Sequence, residues 1–220
     1  MWILLMLSFG LARGVELEWT DFQGSVGIQL YRSGSQSICS GVLIRPQVIL
    51  TAAHCTEGLS GALVTIEAEI GPGTHWTKVQ SFMSHPQYRG NIPGESVDVG
   101  LMFLETPIDV VYPKRANYQL NQMCERIGFG QRAGKNLRTW QTSFPENLLG
   151  TSLRVKDEYG VVGDSGGPVY QREDGGLRLI GVHTGRQLGV GGAMLDISYV
   201  QLLTDDIWHW VLTTIKTEGF

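Results

Sequence analysis

Cysteine is scarce: the 220 residues contain only Cys39, Cys55 and Cys124. At most one bridge can form within the chain, and one thiol is left over. No two of them have the Cys-x-x-Cys spacing, and His75, His85 and His209 are scattered, so the sequence argues against a structural zinc site. Charge is also low, at 17% of residues against 42% hydrophobic. That is too little charge for a disordered chain and enough apolar material for a sizeable core. No run of Lys or Arg occurs, and 17 basic against 21 acidic residues leave a net charge of −4. A chain of this balance offers no footprint for a phosphate backbone, so nucleic-acid binding is not expected. The apolar stretch Trp2 to Ala12 covers 11 residues, too short to span a bilayer. Internal repeats, low-complexity tracts and Pro- or Ser-rich linkers are absent, so any division into halves must be a close-packed one.

Glycine is the residue present in excess, at 29 positions, nearly twice the usual share of about 7%. It suits many tight turns between short strands. Short β-prone runs recur at Val26 to Tyr31, Ile38 to Ile44, Val48 to Ala53, Leu63 to Ile70, Lys78 to Met83, Val99 to Leu104, Leu177 to His183 and Ala193 to Ser198, and several of them alternate apolar and polar residues over part of their length. Half-buried strands have this pattern, and the expected fold class is all-β. One helix is expected at the C-terminus. Thr204, Asp205 and Asp206 form a capping and acidic first turn, and Ile207, Trp208, Val211, Leu212 and Ile215 recur at helical spacing up to Lys216.

The first residues read as a secretory address label. The apolar run ends in Ala12-Arg13-Gly14, whose small residues at alternate positions suit a signal peptidase cleaving after Gly14. Residues 1–14 are thus expected to be a signal peptide and residues 15–220 the working domain, secreted or periplasmic, where a disulfide can persist. No Lys or Arg precedes the run; an uncleaved anchor or a buried N-terminal strand is the alternative reading.

Three short stretches carry chemistry. In Thr51-Ala52-Ala53-His54-Cys55 a strand ends in small residues and a His, with one Cys beside it and Cys39 lying 16 positions back. A bridge between those two can hold the imidazole in place. Asp98-Val99-Gly100-Leu101-Met102 puts an acid at the mouth of an apolar run, where a buried carboxylate needs a specific partner or caps a turn. Gly163-Asp164-Ser165-Gly166-Gly167-Pro168 surrounds a Ser with glycines, which let a substrate carbonyl approach backbone N–H groups.

Taken together, the three stretches resemble the trypsin/chymotrypsin-like serine peptidases, in the family's order of His, Asp and Ser. His85-Pro86-Gln87-Tyr88, Gly128-Phe129-Gly130 and the C-terminal helix extend the resemblance over roughly Gly24 to Val211. It implies two six-stranded antiparallel β-barrels with the active site between them. It also implies a serine endopeptidase acting through His54, Asp98 and Ser165, with Gly163 and Ser165 N–H groups as the oxyanion hole and an acyl-enzyme intermediate. Protein or peptide substrates are implied, and no metal or organic cofactor is required.

The sequence departs from the family in several places. A basic residue followed by Ile-Val-Gly-Gly, the usual activation site, is absent. In the family the freed amino terminus pairs with the acid before the catalytic Ser, here Asp164. Arg126 lies near the place where some bacterial members carry a resident Arg, so an Arg126–Asp164 activation pair is expected; the α-amino group of Val15 is the rival and a surface Arg the third reading. Few disulfides and only 67 positions from Asp98 to Ser165 (165 − 98) also look bacterial. Around the primary pocket the resemblance places Tyr159, His183, Thr184, Arg186 and Gly192. Tyr159 stands at its base unless the loop is shifted, in which case Asp157 or Glu158 does. Cleavage after Lys or Arg is therefore not expected, and His183 near Arg186 is compatible with acidic side chains or with a His packed behind the pocket wall.

Two other classes compete. Gly163-Asp164-Ser165-Gly166-Gly167 also fits the Gly-x-Ser-x-Gly elbow of α/β-hydrolases, but there the acid and His follow the Ser. An inactive homologue acting as a binding module keeps the same scaffold, and commonly lacks one of the three residues present here.

Overall fold

The computed structural model describes residues 24–220. The expected signal peptide and the Val15 amino group lie outside the described residues. Among the described residues there are sixteen strands and one α-helix, in two halves.

The first half is a closed barrel. Its strands are β1 (Ser25–Arg32), β2 (Ser35–Arg45), β3 (Val48–Thr51) and β4 (Gly61–Thr65), then, beyond the short β5 (Glu69–Ile70), β6 (Thr77–Ser84) and β7 (Gly100–Leu104). Their order around the barrel is β1-β2-β3-β7-β6-β4, closed by the antiparallel pairing of β4 with β1. β8 (Lys114–Arg115) leads into the second half, formed by β9 (Cys124–Gly128), β12 (Thr139–Leu149), β13 (Ser152–Lys156), β14 (Pro168–Glu173), β15 (Gly176–Leu188) and β16 (Met194–Leu202). Their order, β14-β9-β12-β13-β16-β15, is closed by β14 against β15, and β8 adds to β15 in parallel. Counted along the chain, each half has its first six barrel strands in the order 1-2-3-6-5-4. The two halves thus share one topology without any repeat in sequence. A small third sheet, β10 (Gln131–Arg132), β11 (Lys135–Leu137) and β5, ties the second half to the first.

Side-chain alternation explains how the halves pack. On β3 and β7, Ile49, Met102 and Leu104 point into the first barrel's core with Ile28 and Val64. Their neighbours Val48, Leu50, Leu101 and Phe103 point the other way, into a second core with Tyr170, Leu179 and Val182. Successive residues of a strand face opposite sides, so strands buried on both faces read as continuous apolar runs. That shared core also takes the inner face of α1 (Asp205–Glu218) through Ile207, Val211 and Ile215. The helix ends at Gly219, left-handed at φ 85°, whose N–H bonds to the carbonyls of Ile215 and Lys216. Cys124 is a free thiol in the core of the second barrel with Leu153 and Val200. Burial pushes its thiol up to about 12, which keeps it protonated and unreactive.

Candidate active site

The barrel register delivers His54 to Asp98. β3 pairs antiparallel with β7, with Thr51 opposite Gly100. Two residues beyond that pair the chain passes Ala52 and turns through the short 3-10 segment Ala53–Cys55, while on the other strand it meets Asp98. The His54 backbone N–H donates to Asp98 Oδ1 at 2.9 Å, and its ring Nδ1 lies 2.8 Å from Asp98 Oδ2. Asp98 is buried, and its own N–H donates to Gln201 Oε1 at 3.2 Å. A carboxylate only accepts, so Nδ1 carries the ring proton and Nε2 keeps its lone pair. Asp98 gains in return the partners that a buried charge needs.

Ser165 reaches the same place from the second half. Its carbonyl accepts from Ser40 N–H at 2.7 Å and touches Cys55 Sγ at 3.7 Å. Cys55 is bonded to Cys39, and a ring nitrogen of His54 lies within 4.8 Å of both sulfurs. His54 and Ser165 therefore flank one disulfide. Because both sulfurs are committed to that bridge, the Cys39, His54, Cys55 cluster offers no thiolate to a metal. Gly166, at φ 81°, must be glycine: a Cβ there would stand 2.0 Å from Thr51 Oγ1 and 2.3 Å from the Ser40 carbonyl. The Ser165 turn is thereby pressed onto the strand end that carries His54. Neither the Gly163 nor the Ser165 N–H is bonded to a protein acceptor among the described residues.

Ser40, next to Cys39, carries no local sequence signal of a functional role. Fully buried, it donates its hydroxyl to Gly163 O at 2.8 Å, accepts from Phe129 N–H at 2.8 Å and holds Ser165 through its backbone. One small hydroxyl joins three segments across the two halves. Gln201, which steadies Asp98, likewise gave no signal, being one amide in an apolar strand.

Asp164 is gripped from three sides. Its carboxylate accepts from the N–H groups of Gly130 (2.9 Å) and Val161 (3.0 Å) and from Arg132 twice, at 2.7 and 3.2 Å. Glycine is required at Gly128 and Gly130 for this, since a Cβ at either would lie within 2.6 Å of Asp164 Oδ1. Burial alone would raise the Asp164 pKa; the Arg132 hydrogen bonds and the nearby Arg126 charge hold it below the usual carboxylate range. The Arg126–Asp164 pair that the resemblance implies is present as a long ion pair, 3.8 Å. Arg126 makes its close contacts with Gln141 and with Asp157, at 2.8 Å, so the two-pronged partner of Asp164 is Arg132. Arg126 sits mid-strand and projects beneath the 157–160 loop, whereas Arg132 lies two residues after Gly130, whose N–H also binds Asp164.

The residues that the resemblance puts around the primary pocket differ in burial. Tyr159 is 64% exposed, whereas Asp157, the alternative that a shifted loop allows, is buried. Asp157 accepts from Arg126, from Ser198 Oγ (2.5 Å) and from the N–H groups of Tyr159 and Gly160, both at 3.1 Å. With those bonds made, it has little to offer a substrate cation. Thr184 is buried, with its hydroxyl on Tyr199 O at 3.3 Å, and Gly192 is exposed in a turn at φ 79°. Arg186 spans from β15 to the 157–160 loop.

His183 is buried. Its backbone N–H donates to Gly167 O and its carbonyl accepts from Gly166 N–H, while neither ring nitrogen has a hydrogen-bond partner. Burial, reinforced by the Arg126 charge, pulls its pKa from 6.5 to about 3. A depressed histidine is neutral when folded while the unfolded chain takes up a proton, so stability is lost as pH falls from about 6.5 toward 3. We expect a slope of about 1.4 kcal/mol per pH unit in that window. Urea unfolding at pH 4.5, 5.5 and 6.5 measures it, and the His183 contribution should vanish in His183→Leu; an unchanged slope in that variant would mean that His183 is protonated in the folded state.

Comparison with known proteins follows the same lines. A family model described as Trypsin matches residues 17–198. The chain is 26% identical over 175 residues to human Granzyme M (Homo sapiens), covering 64% of this chain and 66% of that protein. It is 30% identical over 154 residues to a chymotrypsin-like serine proteinase of Haliotis rufescens, covering 64% of this chain and 56% of that protein. A shorter match, 37% over 70 residues, is to Trypsin alpha of Drosophila melanogaster, covering 29% of this chain and 26% of that protein. The matches span less than two thirds of the length of these relatives.

Proposed function

Because this chain belongs to the trypsin family, we propose that it is a secreted serine endopeptidase whose catalytic groups are His54, Asp98 and Ser165. The observation that carries the reading is the 2.8 Å contact between His54 Nδ1 and buried Asp98, made beside the Ser165 turn.

A Ser hydroxyl is a weak nucleophile near neutral pH, so His54 Nε2 takes the Oγ proton as Oγ bonds to the scissile carbonyl carbon. The carbonyl π electrons move to oxygen, and the N–H groups of Gly163 and Ser165 stabilise that oxyanion. Asp98 fixes the ring tautomer and stabilises the imidazolium without taking its proton. Collapse breaks the C–N bond, His54 returns the proton to the leaving amine, and an acyl ester remains on Ser165. Water then repeats the sequence, with His54 again as base, and frees the acid product and Ser165.

Secretion is supported by the N-terminal apolar run and by the Cys39–Cys55 bridge, which persists in oxidising compartments. Among the described residues, no helix is long and apolar enough to cross a membrane. Arg132 would supply the cation that Asp164 receives from a new amino terminus in family members activated by cleavage.

The test is hydrolysis of an unfolded protein and of a mixed peptide library by the purified full chain. Cleavage at internal bonds is expected. A folded protein that cuts neither substrate would favour the binding-module reading.

A further inference from the structure

From the position of Arg186 we infer, on the serine-peptidase reading above, that this side chain bars the primary pocket and that the enzyme takes substrates with a small side chain, Gly, Ala or Ser, before the scissile bond.

The Ser165 turn fixes where that side chain must go. With the substrate carbonyl on the Gly163 and Ser165 amides, one flank is the segment leading to them, Gly160 to Val162. The other flank is β15 beyond His183, whose backbone is tied to Gly166 and Gly167 at 2.6 and 2.8 Å. The start of β16 closes the far side, and Asp157 lies at the base. Arg186 leaves β15 and crosses this space. Its NH1 donates to Gly160 O at 2.6 Å, Nε to Leu195 O at 3.0 Å, and NH2 to Leu195 O at 2.5 Å and Asp157 O at 3.3 Å. All three walls are joined by one guanidinium. The side chain is 11% exposed, and its Cδ lies 3.1 Å from where a Cβ on Gly160 would stand. A Phe, Lys or Glu side chain needs the volume that Arg186 fills.

The same contacts oppose a role as receptor for an acidic substrate. Each guanidinium nitrogen already bonds to a carbonyl, and NH2 also reaches Asp196 Oδ1 at 3.3 Å. The group thus has Asp157 beneath it and Asp196 beside it, and both repel an incoming carboxylate. His183, the other candidate cation, is held neutral by burial.

The test is a panel of peptide amides differing only in the residue before the scissile bond (Gly, Ala, Ser, Val, Phe, Lys, Glu), with rates normalised to fluorophosphonate-reactive sites. The native chain should prefer Ala to Phe, Lys and Glu by at least about tenfold in kcat/KM, within the range that fit or misfit of a side chain provides. In Arg186→Ala, the ratio for Phe over Ala should rise by at least about tenfold. A native preference for Glu that disappears in Arg186→Ala would overturn the inference in favour of a receptor, and a native preference for Phe or Lys would overturn it outright. Should Arg186→Ala not fold, the native panel decides alone. Absence of fluorophosphonate reaction together with absence of cleavage would instead remove the peptidase reading beneath it.

Discussion

Ser165→Ala lowers kcat for peptide hydrolysis by about ten-thousandfold to a millionfold, and His54→Ala by a similar factor, while the double variant is scarcely worse than either. The non-additivity follows from the chemistry: without the base the hydroxyl is not activated, and without the hydroxyl there is no proton for the base to take. Asp98→Asn should fall in the same range, about ten-thousandfold, because a neutral amide facing His54 Nδ1 no longer selects the productive tautomer. KM should change little in all three, since none of these groups fills the pocket. Steady-state kinetics on one peptide amide measure the set. Losses that simply multiply in the double variant would show that His54 and Ser165 act independently.

The second large effect is expected at Asp164. Removing its carboxylate in Asp164→Ala strips four hydrogen bonds from the turn before Ser165 and leaves Arg132 without its carboxylate partner, beside an Arg126 that keeps only Asp157. Breaking a buried pair from one side costs about 3–5 kcal/mol, more than the pair itself contributes, because the remaining charge stays desolvated. In the proposed mechanism the same turn presents the oxyanion amides, so kcat should drop by about a hundredfold to a thousandfold, the effect of losing one such donor. Arg132→Ala should show a milder form of both losses, since Gly130 and Val161 still donate to Asp164. Urea midpoints and kcat, measured side by side, report the two effects. Equal stability of Asp164→Ala and the native chain would mean that another group compensates the arginines. Because the folded Asp164 carboxyl has a lowered pKa, its contribution is present above the ordinary carboxylate range and lost as pH falls below it.

How much of this was legible in the sequence depended on whether a residue's partner was local or distant. β3 and β7 were readable because both faces of each are buried and the apolar run is unbroken. β9 was not: Glu125 and Arg126 interrupt Cys124–Gly128, and only the fold supplies Arg172, at 2.7 Å, and Asp157 to neutralise them. β12 escaped for a similar reason, since Thr139–Leu149 is largely polar, contains Pro145 and keeps Trp140 and Phe144 exposed. The expected strand Leu63 to Ile70 proved to be two, β4 and β5, separated at Ile66 to Ala68. The C-terminal helix ran close to its expected bounds because its apolar spacing and acidic first turn are local signals.

The candidate site divided in the same way. Thr-Ala-Ala-His-Cys and Gly-Asp-Ser-Gly-Gly-Pro are contiguous and could be read directly. Counting back from Ser165 placed Tyr159 at the pocket base, but the backbone folds so that Asp157, two positions earlier, is buried against Arg126 and Ser198. Likewise Arg126 was the nearer Arg by resemblance, and Arg132 the nearer one in space. No spacing rule reveals which of two arginines, six positions apart, turns toward a carboxylate 32 residues away.

The proposed chemistry requires Ser165 to be an activated nucleophile. Incubating the folded chain with a fluorophosphonate and locating the adduct by peptide mass mapping tests this directly. One phosphonyl group per chain is expected on Ser165 and none in His54→Ala. A native chain left unmodified, or a His54→Ala variant modified just as fast, would contradict it.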